Sequence, residues 1–585
     1  MTWLNRAWVT VASMAAVAVM SVPATLATSC GGAREPAAPA GPRRGGALVA
    51  TSRSEPRTFN PIAGRDFATH LAGTLMHARL LRINRATQQL EPALAERYSC
   101  TAGGLTCTLI LRQGVTFSDG TPFTSADVLF TFRAVLDGKT GSSIAGSLMI
   151  GGKPVSVAAP DPHTIVLSLP APYGPGLRFL DSIPILPKHK LESALDAGTL
   201  RDAWSPTTSP AEMTGLGPFV LQEYKAGERL VYARNPRYWK TDGAGAQLPY
   251  LDRLTIEVTP EQNTELLRLQ SGQADLTQSE IRAEDYAVLK READAGKLKL
   301  IDAGLAFDSD AFWFNLKTGA KARDPRRAWL QSVELRRAVS LAVNRKAFVD
   351  SVFLGAAEPV WGPVSPSNTA WYAPDSAGVV ARPAHDPGQA RVILAGIGLR
   401  DTNNDGMLED KAGRPVRFSI ITQKGNTTLE KGAAAVRDDL QKIGIAVDLV
   451  PLEVGALVDR MLKADYDALY FRLLTTDTDP AMAMDFWLSS GGAHVWNMAQ
   501  ERPATEWEAE IDALMRQMAA ETDLPRRQQA FRAVQEIFSN HLPVLYFAVP
   551  RLYVATSTRV AGATPAPVRP PILWNPEVVA ASAGR

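Results

Sequence analysis

The stretch from Leu90 to Asp137 constrains the fold more than any other, because it spells out a complete supersecondary unit. Tyr98, Leu105, Cys107, Leu109 and Leu111 fall in short runs of alternating character, the pattern of half-buried strands. Thr101-Ala102-Gly103-Gly104 between them tolerates positive φ and predicts a hairpin. A second turn follows at Ser118-Asp119-Gly120-Thr121. Thr124 to Asp127 then has the form of a capping box. The helix it opens places Val128, Leu129, Phe132, Val135 and Leu136 on one face and stops at Gly138. No side chain in this unit forms a plausible nucleophile–base pair, so it reads as scaffold.

In this unit Pro92-Ala93-Leu94-Ala95-Glu96, Leu111-Arg112, Gly114-Val115, Phe117, Asp119 to Thr124 and Asp127-Val128 occur in fixed order. That order resembles the signature of the family 5 extracytoplasmic solute-binding proteins of ABC importers, which handle peptides and nickel. A long ordered match is far more specific than a short motif. Further runs resemble the family: Glu55-Pro56 with Phe59-Asn60-Pro61, Gly215 to Phe219, and Arg234 to Trp239. The resemblance extends over about residues 46 to 580.

A chain of 585 residues is too long for a single hydrophobic core, so two or three domains are expected. Its 62 basic and 60 acidic residues nearly cancel and no basic block stands out, which argues against a nucleic-acid partner. The N-terminus carries an export signal: Arg6, then an apolar run from Ala7 to Met20. Leu26-Ala27-Thr28-Ser29-Cys30 resembles a lipobox, with Ala27 where Leu is usual, and implies lipidation at Cys30. An ordinary cleaved signal and an uncleaved anchor are the alternatives, and all three export the body of the protein. Cys100 and Cys107 then remain as an even pair flanking one hairpin. An export compartment allows a disulfide there, although a turn at Thr101–Gly104 would set the two diagonally; two reduced strand residues are the alternative.

Farther along, Asn263 to Asp275 contains an amphipathic helix ending at Gly272, and Glu334 to Asp350 reads as one helix with Leu335, Val339, Val343 and Phe348 inward. Phe314-Asn315-Leu316 is strand pattern. A strand at Phe418–Ile421, a helix at Ala433–Ile443 and a strand at Val447–Leu452 give a β-α-β order. Asp401 to Gly406 begins like an EF-hand loop, but Ala412 stands where the bidentate Glu is needed, which favours a polar Asx-type turn. The seven histidines show no metal-ligand spacing, so no metal site and no cofactor are expected.

The resemblance implies an α/β fold, a two-lobed periplasmic-binding-protein clamshell with an extra domain inserted in the first lobe. The implied division is 1–29 lipoprotein signal peptide, 30–45 flexible tether, and 46–87, 205–309 and 541–585 first lobe. Residues 88–204 form the extra domain and 310–540 the second lobe, with a hinge near 305–312 and near 540. In the family, an Asp upstream of an Asp-Pro pair meets the α-amino group of bound peptide. Asp479-Pro480 matches the pair, and Asp477 is the candidate ammonium partner, or else a helix N-terminal carboxylate. Tyr470, Arg472, His494 and Asn315 are further candidates by position. Trp361, Trp371, Trp487 and Trp496 lie in loops or at element ends, where indoles stack on ligands or pack in the core.

The expected function is a non-catalytic, monomeric, lipid-anchored receptor at the periplasmic or cell-surface side of a membrane. It would carry peptide to the permease subunits of an ABC transporter. The same receptor role for an oligosaccharide, opine-like compound or metal chelate is the first alternative; an exported hydrolase or chaperone-like surface protein is the second.

Overall fold

In the computed structural model, residues 44–64, 66–317, 324–473, 477–498, 500–568 and 570–582 are described. The leader, Cys30 and the tether through residue 43 lie outside them.

Two sheets carry the architecture. Among the described residues the first has eight strands. Phe219–Lys225, Arg229–Arg234, Arg253–Val258, Ala47–Ser52, Leu276–Thr277, Ala548–Ser557 and Leu298–Leu305 follow in spatial order, and Ala357–Pro359 pairs with Ala548–Ser557. Its centre is parallel: Ala47–Ser52 runs alongside both Arg253–Val258 and Leu276–Thr277. The second sheet orders Ala446–Leu452, Arg417–Gln423, Ala468–Leu473, Ser309–Phe314 and Leu545–Tyr546, with Arg417–Gln423 parallel to both neighbours. Parallel strands need a crossover, and helix Thr427–Gln441 supplies it between Arg417–Gln423 and Ala446–Leu452.

Ser309–Phe314 shows why this second sheet is covered on both faces. All six of its residues are buried. Phe312 and Phe314 pack with Phe418, Ile420 and Tyr470 on one side. Ala311 and Trp313 pack with Ile421, Leu469 and Trp496 on the other. A period-2 strand with apolar residues at both parities requires two hydrophobic layers.

The two lobes are joined where the chain passes between sheets. Leu298–Leu305 belongs to the first and Ser309–Phe314 to the second; Leu545–Tyr546 belongs to the second and Ala548–Ser557 to the first. The passages touch, since Ala306 N donates to Pro550 O at 2.8 Å.

A four-stranded antiparallel sheet, Ala95–Cys100, Thr106–Leu111, Thr164–Ser168 and Ser156–Asp161, carries the signature unit. The capping box forms as the sequence predicts: Thr124 and Asp127 bond reciprocally, and the helix runs Ser125–Leu136, ending two residues before Gly138. Tyr98 and Leu105 are exposed rather than inward, because Ala95–Cys100 is an edge strand and Leu105 sits in the loop. That longer loop also resets the cysteines. Thr101 N donates to Thr106 O, so Cys100 and Cys107 become direct cross-strand partners and are joined in a disulfide. The Glu334–Asp350 segment divides into helices Val333–Ala342 and Arg345–Val352, because the Asn344 side chain caps the second by accepting from Ala347 N.

The C-terminal segment returns to the first lobe and is held by a buried carboxylate. Glu577, 1% exposed, accepts from Arg82 Nη1 at 2.6 Å and Lys240 Nζ at 2.8 Å. Burial by itself would raise its pKa, but the two cations hold it at about 2, below the ordinary 4.5. A carboxylate depressed by folding contributes its full stabilisation above pH 4.5 and loses it as pH falls from 4.5 towards 2. Glu577→Gln should therefore lower stability at pH 7 by about 3 kcal/mol. Melting temperatures measured between pH 5 and pH 2.5 should fall more steeply for the natural protein than for the variant. Parallel curves would show that Glu577 is not the group responsible.

Candidate ligand-binding site

A cavity of about 740 Å³ lies between the two sheets. The first lobe lines it with residues at or just beyond the ends of parallel strands: Ser52 and Arg53 at the end of Ala47–Ser52, Pro260 and Glu261 after Arg253–Val258, and Gln278 to Ala283 after Leu276–Thr277. The second lobe contributes Gln423, Gly425 to Leu429, Phe471 and Arg472. Phe67, Phe353, Leu552 and Tyr553 add apolar surface, the last two from the strand that leaves the inter-sheet passage. Carboxyl ends of parallel strands are where open α/β sheets leave a crevice, because each chain turns away into a helix at that point. The volume falls in the ordinary range for a small-molecule site.

Arg472 forms the floor. Its Nε donates to Asp310 Oδ1 at 2.7 Å within the second sheet, and its Nη1 donates to Glu280 Oε2 at 3.1 Å on the first lobe. Asp310 is 2% exposed and its other oxygen accepts from the Tyr470 hydroxyl at 3.3 Å. Burial by itself would lower the Arg472 pKa; the facing carboxylates more than offset it and raise the value. Burial, then Asp310, pushes the Tyr470 phenol well up, so it stays a neutral donor. Lys431 Nζ and Glu284 Oε2, 3.9 Å apart, make a second and weaker link between lobes.

Of the residues singled out from sequence, Arg472 is on the cavity wall. Tyr470 lies one layer beneath it, fully buried. Asp477 is elsewhere: its carboxylate accepts from Arg178 Nη2 at 2.8 Å, so a guanidinium of the first part of the chain occupies the place an ammonium would take. Burial raises the Asp477 pKa and Arg178 opposes the rise. Asp479 caps the next short helix and pairs with Arg527 at 2.7 Å, both buried. The Arg178–Asp477 pair, with Gly174 N donating to Ala519 O, seats the 173–178 segment on the second lobe.

The indoles go to protein partners. Trp371 packs edge-on against Phe531 beneath the Arg527 guanidinium. Trp487 and Trp496 are packed in the same core with Phe538, and Trp361 lies under Arg345 with its Nε1 donating to Pro383 O at 3.3 Å. His494 is held between Phe486 O and Glu508 Oε1, and Asn315 donates to Ala464 O and Tyr466 O. None of these side chains lines the cavity. The loop at Asp401–Gly406 turns its polar groups onto its own backbone, Asp401 Oδ2 accepting from Gly406 N and Asn403 Oδ1 from Asp405 N.

Sequence reasoning passed over Arg53, Gln278, Glu280 and the Gly425–Leu429 turn. A positional signal was present: Arg53 directly follows a strand, Gln278 and Glu280 lie between a strand and a helix start, and the Gly425–Leu429 turn leads from a strand into a helix, with Asn426 as an N-cap.

Residues 89–494 match bacterial extracellular solute-binding proteins, family 5 (middle region). The chain belongs to this family. It is 26% identical over 539 residues to a probable ABC transporter-binding protein of Deinococcus radiodurans, covering 88% of this chain and 89% of the other. It is 27% identical over 528 residues to the oligopeptide-binding protein AppA of Bacillus subtilis, covering 89% of each. The structure of the oligopeptide-binding protein AppA from Bacillus subtilis in complex with a nonapeptide superposes with a TM-score of 0.72 at 25% identity, covering 93% of this chain and 100% of that one. The fold is therefore the two-lobed clamshell of these solute-binding proteins of ABC importers.

Removing the Arg472 cation would leave Asp310 buried without its partner. Arg472→Gln should cost about 3 kcal/mol, and Asp310→Asn in the same chain should restore part of it. Denaturant unfolding of both single variants and the double variant measures the coupling, which is expected to exceed about 1 kcal/mol. Strict additivity would mean the pair does not hold the floor.

Proposed function

We propose that this protein is a non-catalytic extracytoplasmic receptor that captures short peptides in the inter-lobe cavity and hands them to an ABC importer permease. The observation that carries this reading is the cavity itself. It is assembled from strand ends of both lobes next to the chain passages, so closing the lobes encloses a solute and opening them releases it. The oligopeptide-binding AppA of Bacillus subtilis supports peptide as the solute class. In this reading residues 46–87, 205–308 and 547–585 form the first lobe, 88–204 the extra domain and 309–546 the second lobe. The boundary expected near 540 moves past Leu545–Tyr546, which pairs in the second sheet, and the passages at 305–309 and 546–548 are the hinge. Arg472 orients the cavity floor. Asp477, paired with Arg178, acts as a clasp between the extra domain and the second lobe.

The export signal supports anchoring through lipid on Cys30, with the residues before Arg44 as the tether, since Gly45 N already donates to Tyr250 O. Among the described residues no helix is long and apolar enough to cross a membrane. Cys30→Ala should move the protein from the detergent-extracted membrane fraction to the soluble extracytoplasmic fraction; unchanged membrane retention would overturn the lipid anchor.

For the ligand, a short-peptide panel should raise the melting temperature by about 2 °C at a concentration of 100 Kd, with the peptide recovered intact. Native mass spectrometry of the purified protein offers an independent readout. If every retained solute were a sugar or a metal chelate, the peptide assignment would fail while the receptor role would stand.

A further inference from the structure

The charge arrangement within the cavity is uneven. Three of its four guanidinium groups are already matched: Arg472 by Asp310 and Glu280, Arg282 by Asp285 at 2.6 Å, and Arg551 by Asp302 and Glu358. Arg53 is different. Among the described residues it makes no ion pair, and its Nε donates only to Pro260 O at 3.2 Å. Glu265 is buried beside it; burial pushes its carboxyl up, towards the neutral form, and the Ser279 Oγ donation at 2.6 Å and, more weakly, the Arg53 charge oppose that rise without an ion pair forming. Two further acids stand on this wall: Glu261, exposed to solvent, and Glu280, which accepts from Arg472.

Gln278 lines the same cavity as Arg53. The parallel register pairs Thr51 with Thr277, so the residues that follow, Ser52 and Gln278, are neighbours at the strand ends. Gln278 N donates to Thr51 O at 3.2 Å. Its side chain is a different matter: the residue is 7% exposed, lines the cavity, and neither amide atom has a hydrogen-bond partner. A buried primary amide left unsatisfied on both atoms is costly, and a ligand offering one donor and one acceptor removes that cost.

Helix geometry adds a third contribution on the same wall. Gln262–Gln270 and Ala283–Asp294 begin at the cavity, and neither has a side-chain cap on its first-turn amides. Thr427–Gln441 begins at the opposite wall. Their N-terminal ends all carry partial positive charge towards one enclosed volume.

We propose that the cavity selects a solute carrying a carboxylate, held against Arg53 and the uncapped N-termini of Gln262–Gln270 and Ala283–Asp294, with Gln278 reading an adjacent amide. The proposal deepens the receptor reading and rests on this cavity being the solute site. For a peptide, it makes the C-terminal end the recognised end and leaves the α-amino group without a dedicated partner, because Asp477 is taken by Arg178.

The test is calorimetric titration of the natural protein and of Arg53→Gln with trialanine, N-acetyl-trialanine and trialanine amide. N-(1-carboxyethyl)alanine and its diamide serve as a non-peptide pair. Arg53 is exposed, so the variant should melt with the natural protein. Acids should bind about tenfold more tightly than their amides, N-acetylation should have little effect, and Arg53→Gln should abolish the acid preference. If only the non-peptide acid shows this pattern, the carboxylate proposal stands and the peptide reading falls. If peptide amides bind as tightly as the acids, or the acid preference survives in Arg53→Gln, the proposal is overturned while the peptide reading stands. If none of the acids binds, both fail.

Discussion

A largely buried guanidinium governs the centre of this molecule. Arg472 cannot shed its proton, so its location requires carboxylates close enough to replace water. Asp310 does so from the neighbouring strand of the same sheet, and Glu280 from the opposite lobe. The first contact fixes the register of Ser309–Phe314 against Ala468–Leu473 at the layer where both strands leave the core. The second makes the distance between lobes part of the charge balance. A state in which Glu280 moved away would leave Arg472 with Asp310 and whatever water entered the cavity, so lobe separation and cavity hydration are linked.

The same ion pairing explains why the two walls differ chemically. The floor is saturated: each of its charges already has an opposite charge, and Tyr470 satisfies the remaining Asp310 oxygen. The first-lobe wall is not. Its strand ends point an unmatched guanidinium, an unsatisfied amide and two uncapped helix starts at the enclosed space. Saturated groups position neighbours and exclude competing solutes, whereas unsatisfied ones gain most from a ligand. Chain direction produces this arrangement without special loops, since parallel strands end, and the helices after them begin, on the same side of a sheet.

The 173–178 segment makes contact at a separate edge. Through Arg178 with Asp477, and Gly174 with Ala519, it meets chain from the C-terminal half outside the cavity. The DP segment, which by resemblance would face the ligand, here forms a contact between parts of the protein, with Asp479 turned to Arg527. Where an acid lies in the sequence is a poor guide to its role when a guanidinium from about three hundred residues away reaches it first.

Local chemistry was legible in the chain. The Thr124 capping box, the signature strands and the amphipathic helices depend on residues within a few positions of one another, so spacing alone specifies them. Family membership followed from the ordered Pro92–Val128 motifs. The split at Asn344 is local too, a competition between helix continuation and an N-cap that periodicity does not weigh. Partnerships over long separations were not legible: Cys100 opposite Cys107 required the actual loop length, and the burial of Trp371, Trp487 and Trp496 required the packed core. Arg53, Gln278 and Glu280 look like ordinary polar residues after strands until parallel pairing sets them around one volume. The sequence by itself determined which elements form and to which family they belong, because those rest on short-range periodicity and ordered motifs. Only the tertiary structure decided which charges are paired and which are left facing the cavity, because pairing depends on distances that the folded chain alone creates.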